Sequence, residues 1–167
     1  MKRLSWKYMA GIIDGEGCID MQTGRSKKTG KLYARPRLRM TLVGDHGKMM
    51  VEMMEANFGG NLEHLDRGNP NWQETHTWVL TGQVHLRALL QNIVNHMILK
   101  QEQAKLAIWW IDNMTGKRSD VVLQADPARR FAIDEMKAMK RDPQRLSGKA
   151  VESIIKMLKT DAIVQTT

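Results

Sequence analysis

The first predicted helix is marked by apolar residues that recur at helical spacing. These residues are Trp6, Met9, Ile12 and Ile13. Ser5 can cap this helix, and Gly15 and Gly17 end it, because a serine oxygen accepts the free N–H groups of a helix start and glycine favours a helix end. Ala10 and Gly11 lie side by side in the middle, where glycine weakens a helix, so we infer that another backbone approaches this point.

Alternating apolar and polar positions next predict two β-hairpins. The first pairs Cys18 to Thr23 with Leu32 to Val43 around a turn at Gly24 to Gly30, and the second pairs Asn61 to Arg67 with Gln73 to Thr81. In the second hairpin Trp78 and Leu80 are expected to face the core. The register of its first strand is ambiguous, because Leu62 and Leu65 cannot share a face.

Helices surround these hairpins in the predicted order. They cover Asp45 to Asn57, Val84 to Val94, a helix that is opened by residues 97–104 and runs through Ile111, Asp126 to Lys140, and Ser147 to Lys159. Asp45 is a candidate N-cap for the helix between the hairpins. We therefore predict a single α+β domain over residues 1–167, with a core at about 4–112 and a C-terminal helical region at about 126–160.

The second strand of the first hairpin separates charged from apolar residues. Arg35, Arg37, Arg39 and Thr41 alternate with Pro36, Leu38, Met40 and Leu42, which places the three guanidinium groups on one face. Pro36 lacks a ladder donor and is expected at an edge or a bulge. A solvated outer face is the alternative, but no acid occurs from Met21 to Gly44, and this favours a ribbon that reads phosphates and base edges in a DNA major groove.

The predicted DNA contacts extend the arginine face over both hairpins. They are Gln22, Arg25, Lys27, Lys28, Tyr33, Arg35, Arg37, Arg39, Thr41, Arg67, Gln73, Thr75 and Thr77. Gln73, Thr75 and Thr77 belong to this set because alternation places them on the same side as the arginines. Binding should weaken as salt rises, because each neutralised phosphate releases counterions.

Composition supports a polyanionic partner. The chain has 26 Lys and Arg against 18 Asp and Glu, a formal net charge of +8 and a pI near 9.8. We expect nucleic acid rather than a membrane, because no segment is an obvious basic amphipathic membrane helix. The longest apolar stretch, Leu106 to Ile111, is too short for a bilayer and the start resembles no signal peptide, so we expect a soluble, intracellular protein. Cys18 is the single cysteine, which excludes an internal disulfide and a cysteine-rich zinc site.

Two acids stand where a helix disfavours them. Asp14 and Glu16 lie at the C-terminal end of the first helix, where the helix dipole already supplies negative charge. One explanation is that a cation, such as a divalent metal, binds there. The other is that both are solvated residues of a glycine-rich turn.

The segment Met9 to Gly17 reads MAGIIDGEG and closely resembles the signature of the LAGLIDADG homing endonucleases. The resemblance implies an αββαββα core with a four-stranded antiparallel, saddle-shaped sheet, followed here by C-terminal helices. It implies that the Glu16 carboxylate and the Gly15 carbonyl bind the catalytic Mg²⁺, with Glu in place of the name-giving Asp. It also implies that the motif helices of two subunits pack together, with contacts from Met9, Ala10, Gly11, Ile13 and Asp14.

A second landmark is Lys100, which stands before the Gln-rich start of the helix through Ile111. A lysine at this place is similar to one that the family's domains carry, which implies a role near the scissile phosphate or its water network. The same resemblance suggests His46 as a water-organising residue and Lys48 as an auxiliary cation. Without the family, Lys100 would be an ordinary exposed lysine at a helix start.

The motif occurs once, so the resemblance implies a homodimer that recognises a long pseudo-palindromic double-stranded DNA. The implied activity is site-specific, Mg²⁺-dependent cleavage of both strands with 3′ overhangs, as in intron homing. The alternative is a relative that keeps the fold but does not cleave, either an RNA maturase or a DNA-binding regulator. A generic RNA-binding domain fits less well, since Tyr33 and Trp72 are the only aromatic candidates for base stacking and both lie near turns.

Overall fold

The computed structural model describes residues 4–30, 32–65, 74–114, 127–141 and 152. In chain order the elements are α1 Trp6–Glu16, β1 Gly17–Arg25, β2 Leu32–Val43, α2 Gly44–Phe58, β3 Asn61–Leu65, β4 Thr75–Leu80, α3 Gln83–Ile93, α4 Gln101–Met114 and α5 Pro127–Arg141. A short 3₁₀ turn, Val94–His96, follows α3. The predicted order of elements is therefore confirmed within the described residues.

The predicted boundaries differ from the structure by a few residues at most. The bounds predicted for β2 are those observed, whereas β1 and α2 each extend beyond their predicted ends. The end of the third strand at Arg67 and the start of the fourth at Gln73 lie outside the described residues. Of the predicted helix from Ser147 to Lys159 the structure describes Glu152 alone, which is helical.

The strands form one antiparallel sheet with the order β1-β2-β4-β3. Leu38, Met40 and Trp78 have no exposed surface, because they lie on the face that the helices cover. Leu62 pairs with Trp78 and therefore shares this face, which resolves the ambiguous register of β3. Arg39 and Thr41 lie on the opposite, open face, opposite Val79 and Thr77 of β4.

Pro36 lies where β2 pairs on one side only. It opposes Met21 of β1, and the ladder to β4 begins two residues later at Leu38. The missing N–H of proline therefore breaks no bond to β4. This is the edge-like position that the sequence predicts.

The caps of the first two helices differ. Ser5 Oγ accepts the Tyr8 N–H at 3.3 Å, which confirms the predicted cap of α1. Gly17 follows α1, and a side chain there would meet the Ile13 carbonyl oxygen at 2.6 Å, so glycine is required at the tight turn into β1. The predicted N-cap at Asp45 is wrong, because α2 already begins at Gly44 and Asp45 lies in its first turn. The negative charge of Asp45 is still favourable there, since the start of a helix is partly positive.

The C-terminal helix α5 packs against β1 and α4. Ala132, Met136 and Met139 form its buried side, while its last residues, Lys140 and Arg141, are basic and exposed. Within the part of the chain that the structure describes, every helix is too short or too polar to cross a membrane.

Candidate functional site

Glu16 is the last residue of α1, where the helix passes directly into β1. Its side chain is exposed and borders a groove of about 510 Å³. The groove is lined by Ile12, Glu16, Thr41, Leu42, Val43, His46, Gly47 and Met50. The structure therefore brings His46 to the same groove as Glu16, because α2 begins directly after β2 and presents its first turn beside the end of α1.

Asp14 is buried, with 8% of its surface exposed, and its carboxylate has a structural role. It accepts hydrogen bonds from the backbone N–H groups of Ile98 at 2.5 Å, Leu99 at 3.2 Å and Lys100 at 2.9 Å. These N–H groups precede α4 and have no carbonyl of their own helix to bind. The unfavourable position of Asp14 at the end of α1 is thus explained without a metal.

Lys100 is held at the same end of α1 as Glu16. Its ammonium nitrogen donates to the backbone carbonyl oxygen of Asp14, and its own carbonyl accepts the Ala104 N–H of α4 at 3.0 Å. A cation is favoured at this point because the free carbonyls at a helix end are partly negative. The cationic Lys100 and the acidic Glu16 are consequently anchored to the same last turn of α1.

Lys48 lies elsewhere. It is exposed on α2 and borders a different pocket, together with Val51, Glu52, Leu62, Glu63, His64, Glu74 and His76. The structure therefore does not place Lys48 in the groove of Glu16 and His46. Its predicted role as an auxiliary cation gains no support from this position.

The open face of the sheet is less uniformly positive than the sequence suggests. Arg37 donates two hydrogen bonds to the Asp20 carboxylate, at 2.8 and 2.9 Å, because β1 and β2 pair these residues directly. Lys140 from α5 reaches the same carboxylate at 3.4 Å. Arg35 donates to Gln22 Oε1 at 2.9 Å and stacks over the ring of Tyr33. The acid just before the acid-free segment thus neutralises part of the predicted DNA-binding face.

Asp20 remains ionised because of these two cations. Burial opposes its charge, but the hydrogen bonds and charges of Arg37 and Lys140 outweigh this effect and keep the pKa of the Asp20 carboxyl below its usual range. The same hydrogen bond to Asp20 raises the pKa of Arg37. Arg37 therefore lies on the open face but also stabilises the fold through its ion pair with Asp20.

The other predicted DNA contacts are placed unevenly. Arg39, Thr41 and Thr77 lie on the open face, where the two threonine hydroxyls are 2.8 Å apart. Thr75 shares their alternation but is buried. Lys27 and Lys28 are exposed in the turn of the first hairpin.

Arg25 lies apart from the open face. It pairs with Leu32, out of phase with Arg35, and its guanidinium binds the Gly30 carbonyl at 3.1 Å. Arg67 and Gln73 are outside the described residues.

Most of the residues predicted to contact a second subunit are buried in their own chain. Met9, Ala10 and Ile13 have no exposed surface, because they pack into the core of their own chain, so a second copy could not contact them. Asp14 is likewise turned inward. Of the five predicted contacts only Gly11 is exposed, and nothing lies within 4 Å of the position that a side chain would take.

The outward strip of α1 consists of the exposed Tyr8, Gly11 and Gly15 and the half-buried Ile12. Their spacing is that of one helix face, so the signal was present in the sequence. The glycines leave the backbone uncovered along this strip. Of the small residues of the motif, Gly11 and Gly15 therefore lie on the outer side of α1, and Ala10 lies on the buried side.

Comparison with solved structures shows which known fold this chain shares. The homing endonuclease I-CvuI in complex with its target superposes with a TM-score of 0.62 and 18% identity, over 93% of this chain and 92% of that chain. The archaeal intron-encoded homing endonuclease I-Vdi141I, complexed with DNA, gives a TM-score of 0.58 and 16% identity, over 93% and 96%. The chain has the LAGLIDADG homing endonuclease fold. Neither a family model nor a curated relative matches the sequence.

A third structure with this fold differs in length. The LAGLIDADG homing endonuclease I-LtrWI, bound to target DNA, has a TM-score of 0.59 and 19% identity, over 83% of this chain but only 45% of that chain. The present chain therefore corresponds to about one half of I-LtrWI and to nearly all of I-CvuI. One LAGLIDADG-type unit is what the single motif predicts.

Proposed function

We propose that this chain is a site-specific homing endonuclease, which cuts both strands of a long pseudo-palindromic DNA as a homodimer and leaves 3′ overhangs. The observation that carries the proposal is the exposed Glu16 carboxylate at the end of α1, beside the uncovered glycines Gly11 and Gly15, with Lys100 tethered to the same last turn. A helix end that presents an acid and a lysine on an otherwise basic protein is suited to a phosphodiester and a metal. DNA is the partner in the structures of I-CvuI, I-LtrWI and I-Vdi141I, which supports the same partner here.

The oxygen atoms at this helix end fit a hard divalent cation. The Glu16 carboxylate and the Gly15 backbone carbonyl offer oxygen only, and both residues are exposed. Such a small set suits Mg²⁺, which keeps several of its waters. When bound, Mg²⁺ would neutralise phosphate charge and lower the pKa of a coordinated water.

The remaining chemistry falls to Lys100 and His46, the first of which is tethered to the end of α1. Lys100, held by the Asp14 carbonyl, can donate an N–H to a phosphate oxygen and offset the negative charge of the phosphate. His46 in the shared groove can accept or donate a proton through a water. The buried Asp14 serves as a positioning residue, because it fixes the backbone of residues 98–100 from which the lysine extends.

Two copies would pack through the strip of Tyr8, Gly11, Ile12 and Gly15. Glycines four residues apart let two helix backbones come close, and the apolar Tyr8 and Ile12 can fill the space beside them. This packing would bring two Glu16 carboxylates together at the helix ends. Their repulsion is relieved when divalent cations lie between the carboxylates and the DNA phosphates.

The open face of the sheet would then contact DNA in both halves of the assembly. Arg35, Arg39 and the paired hydroxyls of Thr41 and Thr77 are placed for phosphates and base edges. Arg37 is engaged by Asp20 and would contribute less. Affinity should fall steeply with salt, and the two halves should read related sequences.

Cleavage of a DNA library tests this proposal. The library carries randomised pseudo-palindromic sites and is incubated with Mg²⁺ or with Ca²⁺, and both the cut ends and the bound, uncut DNA are sequenced. The matched variants are Glu16→Gln and Glu55→Gln, the second making the same chemical change at an exposed glutamate on α2. We expect 3′ overhangs from the wild type and from Glu55→Gln in Mg²⁺.

Glu16→Gln should lose cleavage by about 1000-fold or more, about 4 kcal/mol, because the metal contributes several kcal/mol to such reactions. It should still bind DNA. Selective binding without cutting by any variant in either cation would contradict the nuclease and leave a DNA- or RNA-binding relative.

A further inference from the structure

A second set of potential metal ligands lies on the opposite side of the sheet from the arginine face. His64 of β3 and His76 of β4 face each other, with their imidazole rings stacked and their Nδ1 atoms 3.4 Å apart. Glu74, just before β4, places a carboxylate oxygen 4.0 Å from His64 Nε2 and 3.9 Å from His76 Nε2. One ligand atom from each of the three residues lies within 4.8 Å of the others.

The sheet register produces this convergence. His64 and His76 are directly opposed partners of an antiparallel pair, so their side chains leave the same face two residues from the Leu62 and Trp78 pair. Glu74 is fixed from its backbone, because its carbonyl oxygen accepts the Gly44 N–H at the start of α2 at 3.1 Å. The three residues therefore connect the second hairpin to the first turn of α2.

We propose that His64, Glu74 and His76 form a binding site for a divalent transition metal ion, with Zn²⁺ as the natural occupant. Imidazole nitrogens with one carboxylate are ligands typical of Zn²⁺, whereas Mg²⁺ takes oxygen ligands. The site is separate from the helix end with Glu16, and it does not depend on whether the protein cleaves DNA.

The distances favour this ion. With bonds of about 2.0–2.1 Å, two ligand atoms on a tetrahedral Zn²⁺ lie about 3.3 Å apart, and one ligand atom from each of the three residues already lies within 4.8 Å of the others. The Glu74 carboxylate oxygen, which lies 4.0 Å and 3.9 Å from the Nε2 atoms of His64 and His76, must approach them by roughly 0.6 Å to complete the set. Glu74 has the freedom to do so, since 59% of its side chain is exposed, whereas His76, at 8%, is held in place. A water can fill the fourth position from the pocket of about 270 Å³ that these residues border.

The charges around the pocket permit a cation. Lys48 borders it, but Glu52 and Glu63 border it as well and offset the ammonium charge. A bound ion would tie β3, β4 and the approach to α2 together at one point. The open face of the second hairpin would then be held more rigidly from behind.

Metal binding is tested on the full-length protein without a histidine tag. Titration with Co²⁺ should give the visible absorption of a tetrahedral site at one ion per chain, and Zn²⁺ should displace it. Zn²⁺ should also raise the melting temperature. The titration is made in a Glu16→Gln background, so that binding at the end of α1 does not contribute.

Two exposed ligands supply the variants. His64→Gln and Glu74→Gln change side chains that are more than half exposed, so neither is expected to disturb the fold. Either change should weaken Co²⁺ and Zn²⁺ binding by more than about 100-fold, because loss of a mere outer partner of a metal ligand already costs about 10- to 100-fold. His96→Gln, at another exposed histidine, is the matched control and should bind as the parent does.

Three results would overturn the proposal. The first is the absence of tetrahedral Co²⁺ absorption at micromolar protein, which would leave His64 and His76 as a hydrogen-bonded pair. The second is binding that His96→Gln weakens as much as His64→Gln does. The third is an ion that binds with unchanged affinity in both ligand variants.

Discussion

The two sides of α1 make opposite use of neighbouring residues. Ile13 and Asp14 face inward, where one is fully buried and the other binds three backbone N–H groups. Ile12 and Glu16 face the groove and solvent. The inner side therefore fixes the helix in its own chain, and the outer side is left for a second copy, a metal or DNA. A motif that is compact in sequence is divided in space between stability and the proposed activity.

The adjacent residues Ile12 and Ile13 provide the most direct test of the difference between the two sides of α1. Ile13→Ala should lower the free energy of unfolding by about 3 kcal/mol, since it removes a buried side chain and leaves a cavity. Ile12→Ala should cost about 1 kcal/mol or less, because its side chain is only half-buried. Urea unfolding of both variants measures the difference. Equal losses would mean that the two sides of α1 are not distinct.

The two acids at the helix end provide a second test. Asp14→Asn should destabilise the protein by about 2 kcal/mol, because an amide accepts with only one oxygen where a carboxylate now accepts three N–H groups. Glu16→Gln should leave stability within about 0.5 kcal/mol, as for other exposed positions. Thermal unfolding of the two variants side by side, at low salt, distinguishes them. A destabilised Glu16→Gln would assign that acid to the fold instead.

Gly11 tests the proposed role of the outer side of α1 in contacting a second copy. No atom of the chain lies within 4 Å of a side chain added there, so Gly11→Val should leave the isolated chain intact. It should weaken the proposed homodimer by about tenfold or more, near 1.4 kcal/mol, because two helix backbones could no longer approach closely. Analytical ultracentrifugation over a range of concentrations measures the change. Ala10→Val, on the inner side, should instead lower stability.

Asp20, on the neighbouring strand β1, should make the stability of the protein depend on pH. Its pKa is lower in the folded protein than in the unfolded chain, where an Asp titrates near about 3.9, so the ionised form favours folding. This contribution is present above the unfolded pKa and is lost as the pH falls through the lower, folded pKa.

Asp20→Asn should therefore reduce stability by about 1 kcal/mol at neutral pH and flatten its decline below about pH 4. Unfolding at several pH values checks both effects. An unchanged acid slope in Asp20→Asn would mean that other carboxyl groups set it.

The sequence predicts the fold well where the pattern is local. The bounds of β2 follow from the alternation over Arg35 to Leu42 and from the glycine at Gly44, and the arginine face follows from the same period of two. Ser5 caps α1 because its oxygen reaches a donor three residues away. Each of these features depends on residues within one element.

The site was harder to predict because its contacts join distant residues. The partners of Asp14 lie 84 to 86 residues away, so its position at a helix end was open to a metal interpretation. Asp20 stood just outside the acid-free segment, and only the pairing of β1 with β2 places it against Arg37. His64 and His76 meet only in one register of β3, which the sequence left ambiguous.

The hydrogen bonds between Asp14 and residues 98–100 also determine when the end of α1 can be completed during synthesis. During synthesis at about 5–20 residues per second, the 84 residues that separate Asp14 from Ile98 take about 4–17 s to be added. Until then α1 can exist on the nascent chain, but its last turn lacks both the partners of Asp14 and the ammonium of Lys100. The end of α1 with Glu16 therefore emerges from the ribosome without its partners, and it is completed only when the sheet and α4 have formed.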